Sequence, residues 1–78
     1  MEENLQQPNY IILSVPLSEL PVTETFLLRS KLMGFSSLGE IVRTDLKVVS
    51  GFEDYSERWY FELISLLERN GLIHLISA

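Results

Sequence analysis

Three acidic side chains, Glu53, Asp54 and Glu57, form the group in this sequence that comes closest to a metal-binding pattern. Carboxylate oxygens are good ligands for divalent cations, but this group lacks the ligand spacing of a calcium loop. Its spacing is typical of a helix start instead. Asp54 and Glu57 stand as in a capping box, and acidic side chains stabilise a first turn. We therefore expect no metal site here, and we expect no cofactor.

Residues for nucleophilic or acid–base catalysis are sparse. The chain has no cysteine, and its one histidine, His74, lies in the apolar stretch LIHLI without a recognisable catalytic partner. His74 is expected to be a partly buried residue at a helix end or in a strand. The sequence contains no glycine-rich phosphate-binding loop. These patterns predict that the protein is not an enzyme and has no small-molecule substrate.

Length and charge narrow the range of partners. A chain of 78 residues, 46% of them hydrophobic, suits one small globular domain. The net charge is −5, and residues 1–20 carry three acidic side chains without a lysine or arginine. The rest of the chain carries eight acidic side chains against six basic ones. This distribution lacks the basic excess that supplies most non-specific affinity for nucleic acids, so strong DNA or RNA binding is not expected.

The N-terminus does not predict secretion or membrane insertion. The stretch MEENLQQPNY is acidic and polar, and it lacks the basic and apolar regions of a signal peptide. No apolar run approaches the roughly 18 residues that a membrane helix requires. We expect a soluble protein located in the cytoplasm, with no membrane partner.

Turn and capping signals place the elements that must position any site. Residues 1–9 are interpreted as a flexible lead, and residues 10–78 as a single helical domain. The stretch YIILSV at 10–15 is compatible with a strand or with coil, because so short an apolar run cannot be assigned by periodicity. The stretch PLSEL at 16–20 predicts a turn or one helical turn.

Two capped helices are predicted next. Thr23 is a suitable N-cap with Glu24 in the first turn, and this helix should end at Gly34. Ser37 and Glu40 have the spacing of a capping box, so a second helix should begin at about Ser37. A helix, a glycine-containing turn and a second capped helix form a helical hairpin.

The second half of the chain predicts further helices. Asp45 begins a short one, DLKVV, which the SG pair at 50–51 ends. Asp54 is the predicted cap of the last long helix, which runs from about Tyr55 to Arg69 and is closed by the NG pair at 70–71. The terminal LIHLISA is expected to fold back on the core. The predicted fold is all-α, a compact bundle of four to five short helices.

The last long helix has more apolar surface than a small core requires. On a helical wheel its apolar arc spans about 220°, whereas burial on one side needs about 100°. One interpretation is that YIILSV or LIHLISA covers the flanks, and it is favoured for Phe61 and Leu66. The other is that Trp59 lies exposed in a patch with Leu28 and Tyr55. For Trp59 both interpretations stay open.

Three groups of residues have a spacing that occurs together in one known family. Pro16 and Leu20 open the pattern as P-x-x-x-L. The hairpin group consists of Gly34, Phe35, Leu38, Glu40, Ile41 and Val42, and the closing group of Leu67, Gly71 and Leu72. Over about three-quarters of its length the chain resembles the C-terminal domain of the bacterial RNA polymerase alpha subunit. The resemblance implies a fold that contains a helix-hairpin-helix, and a role near transcription.

The resemblance also implies a DNA-contacting surface, but most of its polar residues are replaced here. The family's DNA-contacting arginine and asparagine fall on Thr25 and Leu28. Its Gly-Lys-Lys-Ser, which meets phosphate at the start of the last helix, falls on SERW at 56–59, where Arg58 is the basic residue that remains. A family glutamate is retained as Glu62. These replacements predict weakened DNA binding, because they remove both charge and hydrogen-bond donors.

We interpret the chain as a small, transcription-associated interaction module that binds a protein partner, or itself, through this degenerate surface. The candidate contact residues are Leu28, Arg29, Tyr55, Arg58, Trp59 and Glu62, with Glu57 at the rim. One alternative is a weak DNA-binding domain that uses backbone amides, with Thr25, Arg29, Ser56 and Arg58 as the residual contacts. Another alternative is a structural domain of a larger chain.

Overall fold

A computed structural model of the chain describes residues 8–76. Four α-helices, α1 to α4, follow one another in it: Glu24–Leu32, Leu38–Val42, Leu46–Val49 and Glu57–Arg69. Three 3₁₀ turns complete the order: Tyr10–Ser14 and Leu17–Glu19 before α1, and Ile73–Leu75 after α4. Within residues 8–76 there is no strand, only an isolated antiparallel bridge between Pro16 and Ser37. The prediction of an all-α chain is confirmed, whereas the helix-hairpin-helix stays a prediction.

The N-terminal stretch that the sequence left open is neither strand nor coil. Residues Tyr10–Ser14 form a 3₁₀ turn, with Ile12 buried. The turn packs closely on α2, since a Cβ atom at Gly39 would lie 2.9 Å from the carbonyl oxygen of Leu13. Only a glycine fits there without a shift of backbone. Most of the predicted flexible lead, residues 1–7, lies outside the described residues, as do residues 77 and 78.

The helical turn predicted at 16–20 is confirmed, and so are the signals around α1. Leu17–Glu19 forms one 3₁₀ turn. The Thr23 hydroxyl accepts a hydrogen bond from the backbone N–H of Phe26 at 3.1 Å, as an N-cap does. Gly34 follows the end of α1 with a φ of 93°, a left-handed conformation that favours glycine.

The predicted starts of α2 and α3 are confirmed as well. The Ser37 hydroxyl accepts from the N–H of Glu40 at 3.4 Å, and Asp45 caps α3 through the N–H of Lys47 at 2.9 Å. The Glu40 carboxylate reaches past the cap and accepts from the N–H of Ser36 at 2.7 Å. This backbone donor, helped by the Ser36 hydroxyl, lowers the pKa of Glu40.

The predicted start of α4 is wrong by two residues. Ser56, not Asp54, is the N-cap, and its hydroxyl accepts from the N–H of Trp59 at 3.1 Å. Asp54 instead offers its carbonyl oxygen to the side chain of Arg29. Serine and aspartate both have a short side chain whose oxygen can accept a hydrogen bond from a backbone N–H at a helix start. The spacing alone therefore did not distinguish Ser56 from Asp54. The predicted end is confirmed, because Gly71 has a φ of 69°.

The core draws on every helix and on the first two 3₁₀ turns. Its buried apolar side chains are Ile12, Leu17, Phe26, Phe35, Leu38, Ile41, Val49, Trp59, Leu63, Leu66, Leu67 and Leu72. The expected return of the C-terminal stretch is confirmed by Leu72, which is fully buried. His74, expected to be partly buried, is exposed, with its Nε2 3.2 Å from the Tyr10 hydroxyl.

None of the helices within residues 8–76 has the length and apolar character that crossing a bilayer requires. The cytoplasmic location stays a prediction, and so does the division into a lead and a single domain.

Candidate functional site

Trp59 lies in the contact between α1 and α4. Its ring stacks on Phe26 with centroids 5.5 Å apart and planes 13° from parallel. Its indole Nε1–H donates to the hydroxyl of Ser30 at 2.9 Å, and both side chains are buried. Tyr55 meets the same ring edge-on, at 5.9 Å. This arrangement satisfies the polar atom of the indole while its rings fill the core.

The interpretation of Trp59 as an exposed contact residue is therefore wrong. The side chain is 2% exposed. The flank of α4 that carries Trp59 and Leu66 is covered, as the core interpretation proposed, but Phe61 remains 64% exposed. Helix α1 supplies both the Phe26 ring and the Ser30 hydroxyl, which lie one turn apart on the face that meets α4.

The N-termini of α1 and α4 adjoin at a surface pocket of about 350 Å³. We refer to it as the α1–α4 pocket. It is lined by Thr23, Thr25, Phe26, Arg29, Ser56, Arg58, Trp59 and Glu62. The structure thus brings together all four candidates for residual DNA contact, and it adds Glu62 and Trp59 from the protein-contact set. Leu28 and Tyr55 are not part of the lining.

Glu62 closes the start of α1. Its carboxylate accepts from the backbone N–H of Thr23 and from the Thr23 hydroxyl, both at 2.8 Å. The N-terminus of a helix attracts anions, and here a carboxylate of the same chain already holds that position. This role of Glu62 was missed by the sequence analysis. The two residues are 39 positions apart, so no local spacing could have indicated it.

Arg29 and Arg58 are the two cations of the α1–α4 pocket. Arg29 is half-buried, and its Nη1 donates to the carbonyl oxygen of Asp54 at 2.9 Å, so it holds the loop before α4 against α1. Arg58 is exposed on the first turn of α4, beside the equally exposed Glu57. Glu24 is exposed on the first turn of α1. Within the lining of the pocket, Glu62 offsets part of the positive charge of the two arginines.

The outer side of α1 carries exposed apolar residues. Leu28 is 58% exposed and Leu32 is 60% exposed. Leu32 did not figure among the sequence candidates, although its i,i+4 spacing from Leu28 places both on one face. Exposure of Leu28 agrees with the predicted position of this residue at the surface.

Two other surface pockets lie away from these residues. One, of about 480 Å³, lies at the surface along the contact between the first 3₁₀ turn and α2, and its lining includes Tyr10, Leu13, Gly39 and Arg43. The other, of about 500 Å³, follows the turn between α2 and α3. Neither shares a lining residue with the α1–α4 pocket.

No cluster of three or more metal-ligating side chains occurs in the part of the chain that the structure describes. The acidic residues Glu53, Asp54 and Glu57 precede or begin α4 and do not form such a cluster.

No protein-family model matches the chain, and neither a curated protein nor a solved structure matches it. The likeness to the RNA polymerase alpha C-terminal domain therefore rests on the spacing of its own residues.

Proposed function

We propose that this protein is a non-enzymatic interaction module associated with transcription, which contacts a protein through the surface around the α1–α4 pocket. The observation that supports it most is that residues 23–29 and residues 56–62 line one pocket, which contains charges of both signs. The proposed overall fold is that of the polymerase alpha C-terminal domain, including its helix-hairpin-helix.

The exposure of Leu28 favours a protein partner. An apolar side chain beside polar and charged groups has the composition of a small protein interface, with an apolar centre and a polar rim. Because Trp59 is buried, Leu28 takes the role of apolar contact that the sequence analysis gave to both residues. Arg58 and Glu57 of α4 supply the polar rim. Charged residues at the rim of an interface determine the orientation of the partner more than its affinity.

Charge argues against nucleic acid as the main ligand. Affinity for DNA comes largely from lysine and arginine side chains that neutralise phosphates. In the α1–α4 pocket one of two arginines already donates to Asp54, and Glu62 occupies the start of α1. Glu57, exposed next to Arg58 on the first turn of α4, would repel a phosphate backbone.

Weak DNA binding is the second candidate. In its favour, the starts of two helices and the hydroxyls of Thr25 and Ser56 border the same pocket as Arg58. Backbone N–H groups at a helix start donate to phosphates whatever the side chains are. Few phosphate contacts predict a low affinity with a shallow dependence on salt.

The test is a pair of amide-shift NMR titrations, one with RNA polymerase from the same organism and one with a short A·T-rich duplex at low salt. The proposal predicts that the polymerase perturbs the amides around Leu28 and Arg58. Leu28→Asp should abolish this effect, whereas Phe61→Asp, at an equally exposed apolar residue, should not.

The duplex titration separates the two candidates. Shifts confined to Thr25, Arg29 and 56–59 that disappear at higher salt, without a response to polymerase, would establish the DNA candidate in place of the protein one. An absence of response to both ligands would refute the role in transcription.

A further inference from the structure

The outer face of α1 is a continuous exposed surface. The five residues that form it, Glu24, Thr25, Leu28, Lys31 and Leu32, are all exposed. At 3.6 residues per turn they cover about 120° of the helix, centred on Leu28. The opposite face, with Phe26 and Ser30, is buried against α4. Helix α1 thus has one face in the core and a second, partly apolar face in solvent.

Charge along this face is arranged in a self-complementary order. Glu24 lies four residues before Leu28, and Lys31 lies three residues after it. At 1.5 Å of rise per residue, these charges stand about 6 Å and about 4.5 Å from Leu28 along the axis. Two such helices that run antiparallel and meet at Leu28 bring Glu24 of each copy opposite Lys31 of the other. A parallel pair would place like charges together.

We propose that the outer face of α1 pairs in antiparallel fashion with the same face of a second copy of this chain. This inference goes beyond the proposed function, because it names a second copy of this chain as a partner that covers Leu28. The contact is isologous, so every interaction occurs twice around a two-fold axis. Leu28 packs against its own counterpart, and Leu32 lies over the methyl group of Thr25 from the other copy. The two Glu24–Lys31 pairs lie along one edge of the contact, and the two Leu32–Thr25 contacts lie along the other.

The size of the face sets the strength of the pairing. Helix α1 has nine residues and is therefore about 13 Å long. Such a contact is smaller than the roughly 800 Å² per partner of a standard stable interface. The dimer is thus weak and reversible, and it forms in proportion to concentration.

Sedimentation equilibrium of the whole chain, from about 10 µM to about 1 mM, tests the pairing. The wild-type protein is expected to shift from monomer towards dimer across this range. Glu24→Lys and Lys31→Glu each place two pairs of like charges in the interface, and each should weaken association about tenfold. A wild-type protein that stays monomeric at every concentration would overturn the proposal.

Mixing the two single variants gives the decisive result. One copy then carries two lysines on the face and the other two glutamates, so both edge pairs become attractive. The mixture should associate at least as well as the wild type, and so should the double variant E24K/K31E. Single variants as strongly associated as the wild type, or a mixture as weak as either single variant, would exclude the antiparallel arrangement.

Two controls separate the interface from general effects of charge and folding. Leu28→Asp should abolish association, whereas Phe61→Asp should not, although Phe61 is as exposed as Leu28. Glu68→Lys makes the same charge change as Glu24→Lys, at an exposed residue of α4, and should leave association unchanged. Circular dichroism of each variant verifies that the fold is retained, since Glu24 also stabilises the first turn of α1.

The failures of the two proposals are distinguishable, because the sedimentation experiment contains no polymerase and no DNA. Polymerase binding by a strictly monomeric chain would remove this inference alone. Dimerisation with the expected charge dependence, but without a response to polymerase, would remove the role in transcription and retain the pairing.

Discussion

Helix α4 buries Trp59, Leu63, Leu66 and Leu67, whereas helix α1 buries only Phe26 among its large apolar residues and leaves Leu28 and Leu32 in solvent. The two helices touch each other, and the contrast comes from what else covers each of them. Helix α4 is covered by α1 on one side and by the returning C-terminal stretch on another, although Phe61 remains exposed. Helix α1 meets α4 on one face only.

The difference separates residues that hold the fold from residues that are available for contact. A leucine in the core contributes about 1.5–3 kcal/mol by its burial, which explains every apolar residue on the inner side of α4. The two exposed leucines of α1 contribute little to the stability of the monomer. They are therefore available for a contact outside the monomer, and the proposed contacts would use them.

The largest expected effect tests this division directly. Trp59→Ala should lower the free energy of unfolding by about 3–5 kcal/mol, because it removes the ring that stacks on Phe26 and leaves a cavity. Leu28→Ala should change it by less than about 0.5 kcal/mol. Urea unfolding followed by circular dichroism measures both. Equal losses in the two variants would mean that the outer face of α1 is packed, and the comparison would fail.

A smaller effect is expected at Ser30, which among residues 8–76 is the one polar side chain buried in the core. Ser30→Ala leaves the Trp59 indole N–H buried without its acceptor, which should cost about 1–3 kcal/mol. Ser65→Ala, at an exposed serine of α4, is the matched control and should change stability by less than about 0.5 kcal/mol. A double variant, Ser30→Ala with Trp59→Phe, should lose less than the two single losses added together, since no donor is then stranded.

Capping signals made most of the helix boundaries predictable from the sequence. Thr23, Ser37 and Asp45 each cap the helix that was assigned to them, because a short polar side chain followed by a helical pattern has few other uses. The start of α4 was misassigned because both Asp54 and Ser56 could act as caps. Local spacing does not say which of two suitable residues has the extended backbone that a cap needs.

The site was predictable only in part, because its contacts are long-range. The resemblance predicted Thr25, Ser56 and Arg58 on one surface, and Arg29 was added because it follows Leu28. All four line one pocket. The hydrogen bonds that decide its chemistry join Glu62 to Thr23 and Trp59 to Ser30. Neither pair has a pattern along the chain. Exposure of an apolar residue such as Leu28 likewise depends on what else covers the helix.

The link between Glu62 and Thr23 gives the next prediction. Glu62→Gln removes the charge that stabilises the start of α1 and replaces one acceptor oxygen with a donor, so it should cost about 1 kcal/mol of stability. Glu68→Gln, at an exposed acid of α4 that does not face α1, should cost less than about 0.5 kcal/mol. Amide exchange at Thr23 should accelerate in Glu62→Gln. Unchanged exchange there would show that the hydrogen bonds between Glu62 and Thr23 do not stabilise the start of α1.

The smallest expected effect is a dependence of stability on pH that comes from Glu40, outside the α1–α4 contact. The N–H of Ser36 donates to its carboxylate and lowers the pKa of Glu40 in the folded protein. A lowered folded pKa adds stability that is present above the unfolded pKa of about 4.3 and is lost as the pH falls through the folded value. The advantage of the wild type over Glu40→Gln in urea unfolding should therefore shrink between about pH 5 and about pH 3.

Ser36→Ala is an intermediate variant between the wild type and Glu40→Gln. It removes the Ser36 hydroxyl and keeps the Ser36 backbone N–H, which is the larger cause of the lowered pKa of Glu40. It should retain more of the pH dependence than Glu40→Gln does. Any loss of stability at low pH that persists in Glu40→Gln has its origin elsewhere. A pH dependence in Ser36→Ala that is as small as in Glu40→Gln would show instead that the Ser36 hydroxyl, and not the backbone N–H, is the larger cause of the lowered pKa.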